Sequence, residues 1–176
     1  MQPLNIKREH IIELLCACHD AAASVVNEGA QHPAMCMAFH AEQFRNGDVA
    51  FLPVTGQAFT QAFTFDSDKS KDKAVELMRR VLAKPDVDLM VFCCEAWSAN
   101  VEKDADPYKV KADAGGAVKD IAGARECVVF TITTKMQEWV AVAPLVMNDA
   151  GKRVLDDPTL YEDGAAVGGS MSLLNE

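Results

Sequence analysis

In the stretch Val87-Asp88-Leu89-Met90-Val91-Phe92-Cys93-Cys94-Glu95-Ala96-Trp97, every residue from Leu89 onward is apolar except Glu95. Strand alternation sends Leu89, Val91, Cys93 and Trp97 to one face and Met90, Phe92, Cys94 and Ala96 to the other. Two apolar faces require cover on both sides, so this stretch is expected to be a central strand. Pro85 ends the helix before it. Glu95 must reach water, a cation or a hydrogen-bond donor, because burying a lone carboxylate is costly. It is either a rim residue satisfied by a loop amide or a member of a site.

Working outward, Asn5 is expected to cap a helix that runs to about Glu28 and stops at Gly29. Ile11, Leu14, Leu15, Cys18, Ala22 and Val25 form its apolar stripe, with His10 and His19 on the wet face or its flank. Asn46-Gly47 between alternating apolar runs predicts a hairpin with a two-residue type I′ turn. That turn sets Arg45 opposite Asp48, Glu42 opposite Phe51 and His40 opposite Pro53. It puts Ala50, Leu52 and Val54 in the core with Met37, Phe39 and Ala41. Cys36, His40, Glu42, Phe44, Val49 and Phe51 are left on a mixed second face, either half-covered or the wall of a groove.

Thr55 to Phe65 reads as a packed connector, and Ser67 or Ser70 starts a second helix with Ala74, Leu77, Met78, Val81 and Leu82 as its stripe. Ser98 to Gly123 has no sustained period, and Gly116 to Ile121 forms one short helical turn inside it. Cys127–Thr134 and Trp139–Val146 form a second hairpin, with Pro144 marking an edge or an end. Gly164 to Glu176 is small and polar, a loose tail.

A chain of 176 residues with 49% hydrophobic residues is long enough for one domain with a real core. The net charge of −9 disfavours attraction to nucleic acid or an anionic membrane. All six cysteines lie in apolar runs, which suits small buried hydrophobes in a reducing compartment. No Cys-x-x-Cys or zinc spacing occurs. The start lacks a hydrophobic signal core, and no apolar run approaches the length of about 20 residues that a membrane span needs. A cytoplasmic location is expected.

Catalytic patterns fail one by one. A restriction-type nuclease wants Glu-x-Lys, and Trp97 stands at the lysine position. Asp104-x-Asp106 opens like a calcium loop, but Lys109 replaces its glycine and Gly115 its final glutamate. Gly115-Gly116 lacks P-loop spacing, and there is no Gly-x-Ser-x-Gly elbow. Cys36 and His40 are better read as sheet residues than as a nucleophile pair. The polar set that survives is His40, Glu42 and Glu95. Brought together, they would offer a histidine–carboxylate acid–base pair or a ligand site. Otherwise they are three unrelated surface or rim residues.

Glu95-Ala96-Trp97 at a strand end is followed after a loop by Arg125-Glu126-Cys127-Val128-Val129 and a strand leading to Gln137-Glu138-Trp139. This arrangement resembles an uncharacterised group of small bacterial and phage proteins, in which a similar Glu-Ala-Trp precedes an Arg-Glu-rich strand start. The resemblance spans roughly Leu77 to Leu145 and implies a fold but no reaction.

The expected fold is α+β: a mainly antiparallel sheet of about five strands packed on one face by two helices, in the order α-β-β-α-β-β-β. Residues 1–146 form its single domain, and 147–176 form a loosely ordered extension. The function expected is a non-enzymatic interaction or assembly module of phage or mobile-element type, its partner a second copy or another protein. The alternative is a small enzyme or small-molecule-binding protein with a site beside the central strand at His40, Glu42 and Glu95. No cofactor, metal, nucleic acid or membrane is expected to take part.

Overall fold

The computed structural model describes residues 6–54, 60–63, 68–102 and 105–161. The chain is α+β and its strand pairings are antiparallel. In order, the elements are α1 (Arg8–Asn27), β1 (Ala34–Gln43), β2 (Val49–Pro53), β3 (Thr60–Phe63), α2 (Asp68–Leu82) and β4 (Leu89–Ser98). There follow α3 (Pro107–Asp113), a 3₁₀ turn (Val118–Asp120), β5 (Arg125–Thr134), β6 (Glu138–Met147), β7 (Arg153–Leu155) and β8 (Thr159–Tyr161). Residues 55–59 and 64–65 of the connector, Ser67, Asp104 and the tail from Gly164 lie outside the described residues. The cap expected at Asn5 is corrected to Lys7, because α1 begins only at Arg8.

Among the described residues, eight strands occupy six lanes, β2-β1-β4-β5-β6-β7, with β3 sharing β1's outer edge and β8 sharing β6's. The expectation of about five strands is corrected on this point. β3 falls in the Gln/Thr/Phe-rich connector, and β7 and β8 are too short to show a period. β7 and β8 are also one lane broken by a bulge. Leu145 faces Leu155 and Asp156 N–H donates to Pro144 C=O, but Val142 faces Thr159. Ala143 is therefore opposed by both Asp157 and Pro158, the two-against-one arrangement of a β-bulge. Pro144 sits inside β6, with strands on both sides, and not at an edge. Its carbonyl faces the last lane, so its missing N–H does too, beside the bulge where pairing is already broken.

The boundary expected at residue 146 falls inside β6, and Leu155 of β7 is buried. Residues through Tyr161 thus belong to the sheet. His19 of α1 reinforces this: its Nε2 lies 2.9 Å from Asp156 C=O, which ties the helix to the end of β7 instead of leaving it wet. His10 is also buried, its Nδ1 accepting from Lys7 N–H at 3.1 Å and closing the first turn of α1.

The helices lie on opposite faces, not on one. Ile11, Leu14, Leu15, Cys18, Ala22 and Val26 of α1 pack with Leu89, Val91, Cys93, Val128, Phe130 and Ile132. Met78, Val81 and Leu82 of α2 pack with Cys36, Ala38, Met90 and Phe92 on the other side. The cause is the two-faced apolar character of β4, whose first five residues are all buried. In the long segment after β4, Asp106 caps α3 by accepting from Tyr108 N–H at 2.9 Å, with Pro107 at the first helical position. The 3₁₀ turn lies within the expected Gly116–Ile121 segment.

The β1–β2 hairpin forms, but one residue out of the expected register. Phe44 N–H donates to Asp48 C=O, which leaves a three-residue loop of Arg45, Asn46 and Gly47. Gly47 has φ +94° and closes the bulged turn typical of such loops. Glu42 now faces Ala50 and His40 faces Leu52. A one-residue slip exchanges the faces of a strand. Val49 and Phe51 therefore turn toward the α1 side with Phe39, and Leu52 is left 44% exposed.

Nothing lies within 4 Å of a Cβ built on Gly47, so the cost of a side chain there is backbone strain alone. Gly47→Ala is expected to lower stability by about 1–2 kcal/mol, read as an earlier urea midpoint with an unchanged slope.

Candidate functional site

Glu95 stands near the end of β4 on the α1 side, where it meets a cation that the sequence reading did not foresee. Arg153, at the start of β7, makes a two-pronged contact: Nη1 to Glu95 Oε1 at 3.0 Å and Nη2 to Oε2 at 2.8 Å. The backbone N–H of His32 donates to Glu95 Oε1 at 2.7 Å. Arg153 Nη2 also reaches Glu126 Oε2 of β5 at 3.2 Å. β4 and β7 are separated by two strands, about 14 Å in a flat sheet. The contact therefore needs a curled sheet and an extended arginine.

The Glu95 side chain is 13% exposed and Arg153 31%. Burial by itself pushes Glu95 up. The Arg153 hydrogen bonds, the His32 amide and the nearby positive charge outweigh it and hold the carboxyl below its ordinary range. Trp97 pairs across the sheet with Glu126 and is 43% exposed, not core.

Gln31, Glu95, Ala96, Trp97, Glu126 and Arg153 line an open hollow of about 130 Å³. Pockets that hold drug-sized ligands run to roughly 300–1,000 Å³. The charges that line this one are already bonded to each other. The arrangement acts first as a clamp joining β4, β5, β7 and the chain that leads into β1.

His40 and Glu42 are elsewhere. His40 Nδ1 contacts Asp88 Oδ2 at 2.7 Å, and the same oxygen accepts from Ala41 N–H at 2.8 Å. Asp88 N–H returns a bond to Phe39 C=O at 2.9 Å. Asp88 and Glu95 stand at opposite ends of β4, about 20 Å apart at strand rise. His40 and Glu42 also fall on the sheet face of Cys36 and Ala38, whereas Glu95 falls on that of Leu89 and Val91. The three candidates form no common site. Glu42 is exposed, and His40 belongs to a histidine–aspartate pair that fastens the entry to β4.

One histidine–cysteine neighbourhood was not apparent in the sequence. His32 Nε2 lies 4.0 Å from Cys93 Sγ, both buried. Burial pushes His32 down and Cys93 up to about 12, so both are neutral near pH 7. A thiolate nucleophile therefore does not form. Burial likewise holds Cys18 and Cys94 up at about 11 and Cys36 at about 12. Among the described residues, no group of three or more His, Cys, Asp or Glu could hold a metal ion. No helix among them is long and apolar enough to cross a membrane. Comparison with protein-family models, curated proteins and solved structures finds no match to this chain.

Two expectations follow. Replacing Arg153 by Met should cost about 2 kcal/mol at neutral pH, less than the roughly 3–5 kcal/mol of a fully buried pair because this one is partly open. Glu95 has a depressed folded pKa, so its contribution is complete above the ordinary value of 4.5 and is lost as pH falls through the lower folded value. Urea midpoints of the two proteins should therefore converge in acid. In the native state, alkylation near pH 8 should modify exposed Cys16 well ahead of Cys18, Cys36, Cys93 and Cys127, as read by peptide mass mapping.

Proposed function

We propose that the chain is a non-enzymatic interaction module that engages another polypeptide through the outer edge of the β1–β2 hairpin. The observation that carries this reading is the composition of that edge. β2 reads Val49-Ala50-Phe51-Leu52-Pro53, with no charge along its length, and Leu52 is 44% exposed on the face it shares with His40 and Glu42. Exposed sheet edges are normally guarded by lysine or other charges, because their free N–H and C=O groups pair readily with a further strand. Phe44, at the base of the same turn, adds a second exposed apolar side chain. The polar clusters support this reading by their state. The Glu95–Arg153 contact and the His40–Asp88 pair are each internally bonded, and the cysteine beside His32 is a neutral thiol.

The test joins partner capture to a ligand screen. Affinity isolation and light scattering are expected to find a polypeptide partner, whether a second copy or another protein, whose binding Leu52→Asp abolishes without moving the urea midpoint. A small molecule bound at a hundred-fold excess over its Kd would stabilise the fold by about 2.7 kcal/mol. Such a thermal shift with a metal, nucleotide or metabolite, in a chain that binds no polypeptide, would overturn the reading.

A further inference from the structure

We infer that the partner is a second copy of this chain, joined edge to edge through β2 in antiparallel fashion about a two-fold axis at Phe51. The inference rests on the interaction reading above and names its occupant. Its basis is the direction of the backbone groups. Val54 N–H donates to Ala38 C=O on β1 at 3.0 Å. Alternation then turns the N–H and C=O of Leu52 and Ala50 toward β1, and those of Val49, Phe51 and Pro53 outward. Among the described residues, no strand occupies that outer edge along β2.

Pairing centred on Phe51 uses all of the outward donors. Phe51 N–H meets the carbonyl of the partner's Phe51, and the reverse. Val49 N–H meets the carbonyl of the partner's Pro53, and the reverse. Proline contributes an acceptor where an acceptor is needed, and the N–H it lacks is the one donor each copy goes without.

Side chains select this register over its neighbours. Centred on Phe51, Leu52 lies against the partner's Ala50, joining two apolar edges into one strip. Centred on Ala50, the ladder makes as many bonds but sets Leu52 against Asp48. Centred on Leu52, half of the bonds are lost, because Pro53 then faces Phe51. The strand is its own best complement, which is what an isologous two-fold contact requires.

The contact is small beside the roughly 800 Å² per partner of a standard interface. Each copy carries a net charge of −9, so repulsion opposes association and salt relieves it. The dimer is therefore expected to be concentration-dependent and to tighten as salt rises.

Sedimentation velocity of the full chain from micromolar to millimolar concentration, at low and high salt, tests this. The mass should climb from one chain toward two, at lower concentration in high salt. Leu52→Asp should weaken association tenfold or more while circular dichroism is unchanged. As a second arm, an Ala50→Cys/Leu52→Cys chain under oxidising glutathione should yield a covalent dimer linked between positions 50 and 52 of different copies. Those positions form a close non-hydrogen-bonded pair with Cα atoms about 4.5 Å apart, within disulfide reach. That arm decides the matter should Leu52→Asp fail to fold. A chain that stays monomeric at millimolar concentration in both salts overturns the inference, as does a dimer indifferent to Leu52→Asp with cross-links mapping elsewhere. If such a monomer still binds another polypeptide through Leu52, the interaction reading stands and only self-pairing falls. If it binds none, both fall.

Discussion

Burial of β4 on both faces constrains the rest of the molecule. Leu89, Val91 and Cys93 face α1, and Met90 and Phe92 face α2. Neither helix can serve both sides, so one must come from before the first hairpin and one from between β3 and β4. β5 extends the α1-side layer with Val128, Phe130 and Ile132, each fully buried. Leaving one face open would expose several large apolar side chains, each worth about 1.5–3 kcal/mol when buried. A single-sided arrangement of two helices is therefore not available to this sequence.

Charge serves a different purpose at each end of the central strand. At the entry, Asp88 accepts from Ala41 N–H and holds His40, fixing β1 to the start of β4. At the exit, Glu95 gathers the His32 amide and Arg153, and Arg153 also draws in Glu126. Both acids stand where the apolar run gives out and backbone or side-chain donors are within reach. The Arg153 contact is also what makes the last lane integral. Together with the His19 contact to Asp156, it secures a lane made of two three-residue strands with a bulge between them, which would pair only weakly alone.

The outer lanes show how local geometry sets what a sheet offers to the outside. On one side, the bulge at Asp157 and Pro158 interrupts the edge, a common way of blunting it. On the other, the three-residue turn moves Phe51 inward and Leu52 outward. One extra residue in a turn thus determines which side chains an apolar edge strand presents. The interaction reading depends on that placement, since the expected register would have buried Leu52.

The pattern of residues alone determined α1, α2, the central strand, both hairpins and the antiparallel sense of the sheet. These follow from periodicity, capping and turn chemistry, which act over a few neighbouring residues. The Asp106-Pro107 start of α3 was equally local, yet without an apolar stripe to accompany it the segment read as loop. The turn length at Asn46-Gly47 is not set locally, because that dipeptide suits both two- and three-residue loops, and a core must choose between them. Glu95 was legible as an acid in need of a partner, but Arg153 was not legible as that partner. The two are 58 positions apart in the chain, and only the curl of the sheet across β5 and β6 brings them together. For the same reason His40 and Glu42 read as possible neighbours of Glu95. Strand alternation and the antiparallel pairing of β1 with β4 put them on the other face and at the other end, a relation fixed by tertiary pairing and not by composition.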